Sequence, residues 1–111
     1  MEFEKAISLS PTSTDYLAGL GHAYAVSGQV PKAKKVLNKL HRLARQRYVP
    51  SYDIAVIYVG LGEHDLAFNW LENAYVERPW QLLFLKVDPR LDPLRSDPRF
   101  QDLLRRMNFP Q

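Results

Sequence analysis

Apolar side chains recur along this chain at α-helical spacing, in blocks separated by short polar or glycine-containing breaks. Tyr16, Leu17, Leu20, Ala23 and Tyr24 predict a helix over Asp15–Ser27, and Gly28 follows as its stop. Residues 30–46 carry Ala33, Val36, Leu37, Leu40 and Ala44 as one apolar stripe, with Pro31 where a first helical turn tolerates it. Tyr52, Ile54, Ala55, Tyr58 and Val59 repeat the first pattern and end at Leu61-Gly62. Leu66, Ala67, Trp70, Leu71, Ala74 and Tyr75 repeat the second. Small residues at 21, 33, 55, 67 and 74 fall where the helices of a hairpin must approach closely.

The two halves of this pattern are copies. A shift of 34 places Tyr24 on Tyr58, Gly28 on Gly62, Ala33 on Ala67 and Leu37 on Leu71. Apolar pairs accompany them: Leu20 with Ile54, Gly21 with Ala55, and Leu40 with Ala74. The same register carried backward sets Phe3 under Leu37, Ala6 under Leu40 and Pro11 under Arg45, which matches Pro79.

This pattern resembles the tetratricopeptide repeat, W-x2-L-G-x2-Y, then A-x3-F, then P. Leu17-x2-Leu20-Gly21-x2-Tyr24 and Ala33-x3-Leu37 form one copy. Ser51-x2-Ile54-Ala55-x2-Tyr58, Ala67-x3-Leu71 and Pro79 form the next. Leu17 and Ser51 depart from the family's Trp, and Arg45 from its Pro. The resemblance implies an all-α fold of antiparallel hairpins stacked as a short right-handed superhelix. It divides the single domain into a half repeat (1–11), repeats at 14–47 and 48–81, and a degenerate cap (82–111). The cap carries Asp88-Pro89, Asp92-Pro93 and Asp97-Pro98, each an N-cap acid before a first-turn proline. The last opens a helix with Phe100, Leu103, Leu104 and Met107 on one face, set to cover the second repeat. Because the front holds only half a hairpin, the chain is expected to be a C-terminal piece of a longer array. Its Asp-Pro-rich end is similar to the ends of repeat regions in bacterial regulatory proteins, which implies a cytoplasmic location.

Composition narrows the function. Hydrophobic residues at 46% and charged residues at 24% exclude disordered and coiled-coil classes. Absence of cysteine removes disulfides, thiolate metal sites and cysteine nucleophiles. No phosphate loop, His-Glu-x-x-His or Gly-x-Ser-x-Gly occurs, and His22, His41 and His64 lie far apart. Neither catalysis, cofactor, metal nor membrane span is expected; a protein or peptide partner is.

The resemblance places the partner groove on the first helices, at Ala18, His22, Ala25 and Val26, then Tyr52, Val56 and Val59. That row lacks the Lys and Asn clamp with which some relatives grip a peptide carboxylate. It predicts an apolar helix or extended segment as ligand, with His22 as the polar handle. Charge adds a second surface. The net balance is only +3, yet residues 16–52 contain seven lysines and arginines and no acid. Lys32, Lys35, Lys39 and Arg42 share one helical face and are expected to steer an anionic partner, with Glu63, Asp65, Glu72 and Glu77 of the next outer helix as internal candidates. Nucleic acid is disfavoured, since Tyr48 alone offers stacking there. Self-association through Phe3 and Ile7 on the uncapped front is the competing expectation.

Overall fold

The computed structural model describes residues 14–77 and 85–107. Within them lie α1 (Thr14–Val26), α2 (Val30–Ala44), α3 (Ser51–Gly60), α4 (His64–Glu77), a 3-10 turn (Pro89–Leu94) and α5 (Pro98–Arg106), with no strand among the described residues. The half repeat and the front-edge residues Phe3 and Ile7 lie outside the described residues.

The loop after each first helix is built twice from the same bonds. Gly28 and Gly62 have φ of 83° and 78°, a left-handed conformation that costs a side-chain-bearing residue about 1 kcal/mol. Gly28 N–H donates to Ala25 O at 3.2 Å, and Gly62 N–H donates to Val59 O at 3.0 Å. Gln29 N–H then closes on Tyr24 O at 2.8 Å, and Glu63 N–H on Tyr58 O at 3.0 Å. The turned chain starts α2 at Val30 and α4 at His64, so α1–α2 and α3–α4 form antiparallel hairpins.

The repeat continues further than the sequence pattern showed. α5 begins at Pro98, 34 residues after His64, as His64 is from Val30. The 3-10 turn ends at Leu94, the same interval after Gly60. Residues 85–94 thus occupy the place of a third first helix, and α5 that of its second. Pro93, inside the turn, prevents a regular α-helix there, since it supplies no N–H, whereas Pro89 sits at the tolerated first position. Asp88 and Asp97 cap as expected, accepting from Arg90 N–H at 3.0 Å and Arg99 N–H at 2.9 Å. Asp92 does not cap: Pro93 sits inside the turn, and Asp92 instead pairs with Arg95 at 2.7 Å.

One core joins these units. Leu17, Leu40, Ile54, Ile57, Leu71, Leu85, Leu91, Leu94 and Phe100 are fully buried, and each such leucine stabilises by about 1.5–3 kcal/mol. Close approach is literal at position 21, where a Cβ would fall 2.5 Å from Ile57 Cδ1 and 3.1 Å from Val36 Cγ1.

Candidate functional site

The inner row of first helices is not an open groove. Ala18, Tyr52 and Val56 have no exposed surface, and Val59 and Ala25 are buried as well. Only His22, half-buried, and Val26, exposed at the end of α1, keep contact with solvent. Two causes are visible. α1 abuts α3 so tightly that a Cβ on Gly60 would fall 2.9 Å from Ala25 Cβ and 3.1 Å from His22 Cδ2. From the other side, residues 85–94 lie against α3. The expectation that Tyr52, Val56 and Val59 offer apolar contact surface is therefore corrected: they are core.

A polar knot holds that covering segment down. Tyr52 Oη donates to Asp88 Oδ2 at 2.7 Å, in a buried bond. Arg90 closes on the same carboxylate through Nε (3.1 Å) and Nη2 (2.8 Å), the two-pronged geometry that makes Arg–carboxylate pairs strong. Burial would raise the Asp88 carboxyl, but the bonds from Arg90 and Tyr52 outweigh it and hold it below the ordinary value. Arg95 adds donors to Lys86 O and Asp88 O at 2.6 and 2.8 Å. His22 stands near this knot: its burial, then the Arg90 charge, lower its pKa, so it remains a neutral imidazole at pH 7. Asp53, the next residue along α3, is 2% exposed and one carboxylate oxygen has no hydrogen-bond partner. Burial pushes its pKa up to about 6.

The outer helices α2, α4 and α5 carry the remaining charge. Lys32 lies over the Tyr24 ring at 5.4 Å, Lys35 and Arg42 are exposed, and Lys39 is half-buried. None of the α2 bases forms an ion pair with another described residue. The expected complementarity with α4 is also corrected. Asp65 pairs with Arg99 at 2.9 Å, and Glu72 pairs with Arg106, both on α5. Glu77 instead accepts from Ser51 N–H and Tyr48 Oη at 3.0 Å each, capping the start of α3, where Pro50 offers no side-chain cap.

Sequence reasoning marked Asp88 only as a cap and missed its knot with Tyr52 and Arg90, along with the contacts of Arg99 and Arg106. The last two were within reach, because each is an opposite charge 34 residues after its acid. Asp88 and Arg90 carry no such signal.

Two clefts separate the outer helices. The one between α4 and α5 is bridged by Arg99–Asp65 and Arg106–Glu72, with the guanidinium of Arg99 stacked 4.3 Å over Phe68. The other, where α2 meets the end of α3 and the start of α4, is an open cavity of about 490 Å³. Its apolar lining is Val30, Leu37, Tyr58, Leu61 and Leu66. Lys34, Asn38 and His41 form the α2 lip, and Glu63 stands at the α4 end.

The chain is 32% identical over 82 residues to Superkiller protein 3 of Schizosaccharomyces pombe. The matched stretch is 74% of this chain, and the chain spans 6% of that protein's length. No family model matches, and no solved structure does. The recurring hairpins make this an all-α helical repeat. No described helix is long and apolar enough to cross a membrane.

Proposed function

We propose that this chain is a non-catalytic protein-interaction module of the tetratricopeptide type, working in the cytoplasm as part of a scaffold. The observation that carries the reading is the 34-residue recurrence of helix starts at Val30, His64 and Pro98. Stacked hairpins in such a register form a rigid, extended surface whose use is contact with other proteins. The similarity to Superkiller protein 3 supports the same reading. With the inner row buried, contact falls to the outer helices and their clefts.

Affinity capture with the whole chain, followed by calorimetry with the purified partner, tests the reading. A stoichiometric protein complex is expected. Recovery that disappears entirely on nuclease treatment would overturn it.

A further inference from the structure

We infer that the cleft between α2 and α4 receives an acidic amphipathic segment of a partner protein; this rests on the interaction-module reading and names the partner's chemistry. The argument is a comparison within the molecule. In the α4–α5 cleft, two ion pairs cross from one outer helix to the next, Arg99 to Asp65 and Arg106 to Glu72. One repeat earlier, the same positions are Asp65 opposite Pro31 and Glu72 opposite Asn38. Neither couple can form a salt bridge, so no equivalent ion pair ties α2 to α4 among the described residues; the two clefts are of similar size, about 490 and 440 Å³, and differ in charge.

What the open cleft displays is apolar in its floor and basic along one lip. Val30 and Leu66 are 38% and 41% exposed, beside half-buried Tyr58 and Leu61. Lys34 and His41 stand on the α2 lip with Asn38 between them, exposed Lys35 and Arg42 are their neighbours in the helix, and exposed Arg45 is its C-cap. The lysines and arginines repel one another, and no described acid pairs with them. A segment with aliphatic residues on one face and carboxylates along one edge satisfies both features. Its acids would do for α2 what Asp65 and Glu72 do for α5. Glu63 fixes the direction, since it repels acids at the α4 end and leaves the α2 edge to them. A nucleic-acid backbone fits less well, because the apolar floor and Glu63 offer phosphates no partner beyond the α2 lip.

Selection of a random displayed peptide library on the whole chain tests the inference. The enriched peptides are expected to carry Leu or Ile at helical spacing with Asp or Glu on one edge. Their affinity is expected to fall about tenfold or more for the double variant Lys34→Glu/Arg45→Glu, and likewise for Leu66→Asp, each checked for retained helicity. Arg105→Glu, on α5 and outside the lining of this cleft, should leave it unchanged. Enriched peptides without acidic bias, or acidic ones indifferent to all these variants, overturn the cleft assignment but leave the interaction-module reading standing. Failure to enrich any peptide overturns both. An oligonucleotide that binds more tightly than the selected peptides and is lost in Lys34→Glu/Arg45→Glu also overturns the inference.

Discussion

Arg106 of α5 reaches back 34 residues to Glu72 of α4, its Nη1 donating to Oε2 at 2.9 Å, while its guanidinium lies over the Tyr75 ring. Arg99 does the same to Asp65 and Phe68 one repeat interval apart and two turns earlier. The last helix is thus laced to its predecessor at both ends. Such exposed pairs add little to global stability, and Arg106→Ala should cost less than about 1 kcal/mol in denaturant unfolding. The local effect is larger. In Arg99→Ala/Arg106→Ala, amide exchange should accelerate in α5 before it does in α1–α3. Unchanged α5 protection would mean that Phe100, Leu103 and Leu104 alone anchor the helix.

The hydroxyl of Tyr52 has one described acceptor, and that acceptor belongs to the segment covering α3. Tyr52→Phe keeps the ring's packing and leaves the buried Asp88 with one bond fewer. Loss of about 1–3 kcal/mol is expected from denaturant melts. A neutral substitution would show that Arg90 satisfies Asp88 unaided.

Position 21 tests how closely the hairpins meet. Gly21→Ala gains helix propensity of about 1 kcal/mol but drives its methyl into Ile57 and Val36, which costs about 1–3 kcal/mol. Net destabilisation is expected. Ile57→Val removes the atom that collides first, so the double variant should be more stable than the sum of the singles predicts. Simple additivity would place the strain elsewhere.

Asp53 gives a pH signature. Its folded pKa is raised from 3.8 to about 6, chiefly by burial and further by Asp15, against a Thr14 hydrogen bond and the Arg90 charge. The unfolded chain therefore releases this proton first as pH rises. The carboxyl's favourable contribution is full below pH 3.8 and is lost by about pH 6. Charged Asp53 then costs on the order of 3 kcal/mol. Asp53→Asn should be more stable than the parent at neutral pH, with a difference that grows across this window and is flat above it. His22 and Asp88 titrate in both proteins, so subtraction removes their share. A pH-independent difference would reject the assignment.

Much of this architecture is legible in the residues. Gly28 and Gly62 mark both turns because only glycine fits their left-handed backbone comfortably. Of the stripe Ala33, Val36, Leu37, Leu40 and Ala44, the first four are buried and mark the inner face of α2, while Ala44 at its end is exposed. The third unit hides because Pro93 replaces α-helix with a 3-10 turn, erasing the 3.6-residue period. The inner row misleads for another reason. Helical spacing places Tyr52 and Val56 on a face, yet it cannot say that a segment over thirty residues away covers them. The signal available was composition: apolar residues occupy consecutive positions from Ile54 to Val59, and a helix apolar all round is an enclosed one.

That enclosure has a consequence for cooperativity. α3 is ten residues long, too short to persist in water alone, and eight of its residues are buried. It survives only while α1 on one side and residues 85–94 on the other are both seated. Opening the α1 flank uncovers Ile57, and opening the other uncovers Tyr52, so either loss strips buried surface from the central helix. Apart from α5, which can open locally, α1, α3 and residues 85–94 should therefore not peel apart one by one, as the units of long solenoids do. They behave as a single keystone assembly, whose flanks sense each other through a helix that touches both.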